Sequence, residues 1–211
     1  MGRTKTLAIQ QPHLLLVEGK EDIVFFEPFI QHLNLSIQVI QAEGNAGFGG
    51  TLDALRRLSE YDTVQAIGIV RDADDDPEQA FQDVCEKIRK EGFPLPPAIL
   101  KPTNTRPAIS ILIVPPDKEG TGRMLEDLLF EAVKSDPAGV CINEYFQCLH
   151  ESKIVTNPKQ VAKVKVNAFL ATRYNPADPL TKIVATQYWN FDSPIFNKVK
   201  TFLQQIASQE S

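Results

Sequence analysis

A chain of 211 residues, 43% hydrophobic and 23% charged, is long enough to bury its own core and too apolar to be disordered or fibrous. No apolar run approaches the ~18 residues of a membrane span, and the start MGRTKTLAIQQPH lacks the core of a secretory signal, so a soluble, cytoplasmic protein without a membrane partner is expected. The net charge of −5 hides an asymmetry: residues 1–150 carry 14 Lys and Arg against 23 Asp and Glu, whereas residues 151–211 carry 8 against 4. An acidic front and a basic tail suit a protein that holds metal at one end and a polyanion at the other, and equally a surface whose charge only keeps it dissolved.

Residues 14–17 are a short apolar run ending in Glu18-Gly19, and Ile23, Phe26, Ile30 and Leu33 follow at helical spacing, which predicts strand, tight turn and helix. Pro28 should kink or end that helix, because it removes one backbone donor. Glu18 then stands at the tip of the strand and Asp22 in the first turn of the helix. Taken singly, these are also an ordinary turn residue and an acid favoured by the helix dipole. Residues 36–41 make a second strand and run into AEGNAGFGG, whose glycines permit positive φ and the close approach of another chain or a phosphate. No Lys-Ser/Thr follows, so this is not a P-loop. Thr51 can cap the next helix, which carries Leu52, Leu55 and Leu58.

Residues 64–71, VQAIGIVR, form a run rich in β-branched side chains, the pattern of a central strand buried on both faces. DADDD follows. In an extended segment Asp72 and Asp74 project to the same side, beyond the carboxyl end of the strand, where open α/β sheets bind ligands. Paired carboxylates suit a hard divalent cation, Mg²⁺ first, then Mn²⁺ or Ca²⁺. The same residues also read as a solvated acidic turn that caps a helix beginning at Pro77 and running to about residue 90.

VEGKED at residues 17–22, the Gly-rich GNAGFGG before a helix, and a strand ending in RDADDD together resemble the successive motifs of the TOPRIM fold. That metal-binding module is shared by topoisomerases, bacterial primases, RecR-type repair proteins and OLD-family nucleases, and the resemblance covers roughly residues 12–135. It implies that Glu18 is the acidic catalytic residue and a metal ligand, that Asp72 and Asp74 are the DxD metal ligands, and that Asp22 is the extra acid of OLD-like members. Residues 92–107 hold five prolines and read as a loop, residues 108–114 as a fourth strand, and residues 123–133 as a helix. A Gly-rich turn leading to such a helix is similar to small stand-alone OLD-like TOPRIM proteins of uncharacterised bacterial families. This makes Glu126 a further candidate metal ligand, with a dipole-favoured acid as the alternative.

Residues 140–150 and 158–172 have helical spacing, the latter with Lys159, Lys163, Lys165 and Arg173, and a last helix runs to about residue 207. Lys159, Lys163, Lys165 and Lys182 are expected on one surface beside the acidic rim. Lys182 is a candidate catalytic residue that could meet a substrate phosphate, or an ordinary solvated lysine. Trp189, Phe191 and Phe196 are expected to pack that end. Three Cys and three His show no zinc-binding spacing. The expected architecture is α/β: a TOPRIM-like, mainly parallel sheet flanked by helices over residues 1–135, with a mainly helical extension over 136–211 packed on the same core. The expected function is Mg²⁺-dependent (or Mn²⁺-dependent) phosphodiester hydrolysis of DNA or RNA, with a separate ATPase or a repair or defence protein as a further partner. The alternative is a non-catalytic module that binds nucleic acid or a partner protein. Haloacid-dehalogenase phosphatases need DxDx[TV] on their first strand, whereas here DxD closes the third.

Overall fold

The computed structural model describes residues 7–42, 47–116, 124–154, 160–173 and 188–209. At their centre is an all-parallel sheet of four strands, β1 (His13–Val17), β2 (Gln38–Gln41), β3 (Ala66–Asp72) and β4 (Ala108–Val114), in spatial order β2-β1-β3-β4. The protein is therefore α/β, as its β-branched runs imply. Because β1 and β3 are parallel neighbours with Leu16 level with Ile69, their carboxyl ends, and the acids that follow them, share one edge of the sheet.

Successive side chains on a strand point to opposite faces, so the sheet separates two cores. Leu14, Leu16, Ile67, Ile69, Ile109 and Ile111 face α2 (Gly47–Arg56) and α3 (Pro77–Lys90). Leu15, Val17, Val70, Leu112 and Val114 face the other way, toward α1 (Lys20–His32), α4 (Leu125–Val133), α5 (Pro137–Glu151), α6 (Val161–Ala171) and α7 (Asn197–Ala207). Each fully buried Val, Leu, Ile or Phe contributes about 1.5–3 kcal/mol relative to exposure. The helical C-terminal part lies directly on the sheet: a Cβ at Gly68 of β3 would fall 2.2 Å from Ile206 Cδ1 of α7 and 3.1 Å from Phe202 Cζ. Trp189, Phe191 and Phe196 are buried as expected, and Trp189 Nε1 donates to the Leu129 carbonyl at 3.0 Å.

Three local readings of the sequence are resolved by the structure. The first helix does not end at Pro28; it runs on to His32, with Pro28 flanked by Val24 and Glu27 on its water-facing side, where solvent can satisfy the carbonyl that loses its donor. Asp76 accepts from the N–H groups of Glu78 and Gln79 and sets Pro77 at the first position of α3, so part of the acidic run is a helix cap. The Gly-rich segment is used, at Gly49, for packing: a Cβ there would stand 2.6 Å from the Lys87 carbonyl oxygen, so α2 and α3 meet backbone to backbone. Residues 43–46 of that segment lie outside the described residues. Gly49→Ala is expected to cost about 1–3 kcal/mol, because the obstacle is backbone and cannot swing aside. A urea midpoint unchanged from wild type would show that the two helices separate freely.

Candidate functional site

The site begins with the turn from β1 into α1. Asp22, at the third position of α1, accepts a hydrogen bond from the Gly19 N–H at 2.7 Å, which closes the first turn of the helix. That local bond sets the carboxylate at the carboxyl rim. Burial is the main reason its pKa rises to about 6; the Gly19 bond opposes the rise, and the charges of Glu126, Glu18 and Glu21 add to it.

Asp72 is the last residue of β3, and its Oδ1 accepts the Leu125 N–H at 2.9 Å. The carboxylate thus sits at the N-terminus of α4, a favourable place for an anion. Burial nevertheless outweighs that bond and the nearby Arg71, and with the charges of Asp22 and Glu126 raises its pKa to about 7. Glu126, the second residue of α4, is 15% exposed at its side chain. α1, β3 and α4 thus carry Asp22, Asp72 and Glu126 to the same edge of the sheet, within range of one another's charge. Among the described residues, neither Asp22 nor Asp72 forms an ion pair.

Glu18 and Asp74 are arranged differently. The geometry expected for Asp72 and Asp74 fails, because the chain leaves the strand after Asp72 and Asp74 adopts a left-handed turn with φ of 50°. Its carboxylate is 60% exposed and binds Arg71 Nη2 at 2.6 Å, while Arg71 Nη1 bonds to Glu18 Oε2. Arg71 therefore bridges the two acids that flank the rim. Sequence reasoning missed this cation, although it stands immediately before DADDD.

Among the described residues a second cation at the rim is Lys163 of α6, with Nζ 3.2 Å from Glu21 Oε1 and 4.0 Å from Glu126 Oε1. Glu21 is held below the ordinary carboxylate range by a backbone hydrogen bond and by Lys163. The expected common lysine surface does not take in Lys165. Lys165 lies two residues on, about 200° round the helix, and stands over the rings of Phe130 and Phe146 with a bond to Asn143 Oδ1 at 2.7 Å. Lys159 and Lys182 lie outside the described residues. An open groove lined by Ile9, Glu60, Asp62 and Arg106 lies at the other end of the strands, away from these acids.

A family model described as "Protein of unknown function (DUF3226)" matches residues 12–208. The chain belongs to this family. No curated protein matches the chain, and no solved structure does. The family match runs from just before β1 through α7, so it takes in every acid of the rim together with Lys163.

The donor set at the rim is oxygen only, which fits a hard divalent cation rather than zinc. Among the described residues, no group of three or more His, Cys, Asp or Glu side chains is already gathered closely enough to hold a metal ion. A cation would have to draw the Asp22, Asp72 and Glu126 carboxylates inward. Among the same residues, no helix is long and apolar enough to cross a membrane.

Proposed function

We propose that this protein hydrolyses phosphodiester bonds of nucleic acid at the carboxyl rim, with Mg²⁺ or Mn²⁺ held by Asp22, Asp72 and Glu126. The observation that carries this reading is the placement of Asp22, Asp72 and Glu126 at the carboxyl rim with no ion-pair partner for Asp22 or Asp72 among the described residues; burial first, and the neighbouring acids second, lift those two carboxyls to about 6 and about 7. The resemblance of VEGKED and RDADDD to TOPRIM motifs supports the same reading. A divalent ion at such a site polarises a phosphate oxygen and stabilises the leaving oxygen. Asp72 and Asp22 are kept at the rim by the N–H groups of Leu125 and Gly19, from which a cation would draw them together with Glu126. Glu18 is half-exposed at the tip of β1 and oriented by Arg71, so it can accept a proton from an attacking water. Asp74, turned outward, serves to hold Arg71.

The test is a thermal-shift titration with MnCl₂ and MgCl₂, run beside cleavage assays on DNA and RNA. At a cation concentration a hundredfold above Kd, binding to the native state contributes about 2.7 kcal/mol, and the melting temperature should rise by roughly 5–10 °C. Asp22→Asn with Asp72→Asn should abolish the shift and any cleavage, while Asp74→Asn should keep most of the shift. A wild type that ignores both cations yet binds nucleic acid would replace this reading with that of a non-catalytic binding module. The presence of Arg71 and Lys163 at the rim, two cations supplied by the chain, is the observation that favours such a module.

A further inference from the structure

Lys163 reaches the rim from α6, a helix whose other contacts are with α4 and α5, and its ammonium is the one described cation placed at Glu126. It spans two carboxylates from two different helices, Glu21 of α1 and Glu126 of α4. Its side chain is 47% exposed and the Glu21 side chain 67%, so the bond to Glu21 is a surface ion pair of small strength. Glu126 is far less exposed, at 15%, and the ammonium stands at 4.0 Å from it, beyond direct hydrogen-bond distance. Arg71, by contrast, is 21% exposed, grows from the sheet itself and is engaged at both ends of its guanidinium by Glu18 and Asp74. The two cations therefore differ: Arg71 is built in, whereas Lys163 is held loosely on a flexible stem over the acids proposed to hold the metal.

Resting on the metal reading above, we propose that Lys163 is a resident countercation of the rim, which a divalent cation must displace from Glu126 in order to bind. In the metal-free protein it offsets part of the repulsion among Glu21, Asp22 and Glu126. When a divalent ion binds, the ammonium swings out into solvent and leaves Glu126 to the metal. Lys163 thus sets how much cation the site requires, and its cost appears as weakened metal affinity.

The experiment is calorimetric titration of MnCl₂ into wild type, Lys163→Gln, Lys163→Arg and, as a control for net charge, Lys90→Gln on α3, each also melted without metal. Withdrawing the ammonium from Glu126 at 4.0 Å and Glu21 at 3.2 Å gives up its attraction to both carboxylates, so removing it beforehand should tighten binding about tenfold even at water-like dielectric. The expected result is an approximately tenfold lower Kd for Lys163→Gln, with Lys163→Arg and Lys90→Gln within about twofold of wild type. Without metal, Lys163→Gln should melt slightly below wild type, since the acids lose their partner. Equal or weaker Mn²⁺ binding by Lys163→Gln, with wild type binding normally, would overturn the countercation role and leave the metal site standing. No Mn²⁺ binding by either protein would overturn the metal reading, and the countercation role with it.

Discussion

Asp72→Asn should make the metal-free protein more stable at pH 8, although it removes the acid on which activity is proposed to depend. Asp72 ionises near 7 in the folded chain against an ordinary 3.8, because burial disfavours its charge and Asp22 and Glu126 repel it. The folded state therefore binds this proton more tightly than the unfolded state. Its contribution to stability is fully present below pH 3.8 and is lost as the pH rises through about 7. Above that, the charged carboxylate opposes folding by about 4 kcal/mol at most. Asparagine keeps an oxygen for the Leu125 N–H and carries no charge. We expect the melting temperature at pH 8 to rise by roughly 5–10 °C, with the difference shrinking as the pH falls toward 4. Asp22, ionising near 6, should leave a smaller slope of the same sign in the variant. Melting curves across pH 4–9 in the presence of EDTA measure this directly. A variant less stable than wild type at pH 8 would mean that the carboxylate serves chiefly as an anchor for α4.

Phe29→Ala is expected to have the largest effect on stability. Phe29 of α1 is fully buried, stacked on Phe191 with ring centroids 4.6 Å apart and planes inclined by 7°, and it also meets Phe25 and Phe196 edge-on or nearly so. This aromatic cluster fixes α1, which carries Asp22, to the chain that leads into α7. Truncation loses the transfer free energy of the ring and leaves a cavity that the rings of Phe25, Phe191 and Phe196 cannot easily close. The loss should be about 3–5 kcal/mol, lowering the melting temperature by roughly 6–15 °C. Val24→Ala, on the exposed side of the same helix, should change stability by no more than about 0.5 kcal/mol. If Phe29→Ala costs less than Val24→Ala in urea unfolding, the cluster is not what holds α1 in place.

What could be read along the chain is what depends on neighbours in sequence. Period-two and continuous apolar runs marked the four strands within two residues at each end, because a parallel strand buried on both faces admits little else. The β1 turn placed Glu18 and Asp22 together for a similar reason: a helix that starts at Lys20 brings its third residue back to the preceding N–H. The partnership of charges at the rim depended on tertiary structure. Arg71 and Glu18 are separated by 53 residues, as are Asp72 and Leu125, and Lys163 and Glu21 by 142, and no local pattern encodes such contacts. The same holds for the glycine at position 49: its sequence context permits the close approach of a chain or a phosphate alike, and its neighbour in space is the backbone of α3. Even the separation of Asp72 from Asp74 was settled this way. Asp72 is held in line by β4 and α4, whereas Asp74, one residue past the last strand bond, is free to take a left-handed turn and close on Arg71. Spacing can show that acids gather at one edge of a sheet; only the packing of α4 and α6 against that edge decides which of them retain a charge that a cation could answer.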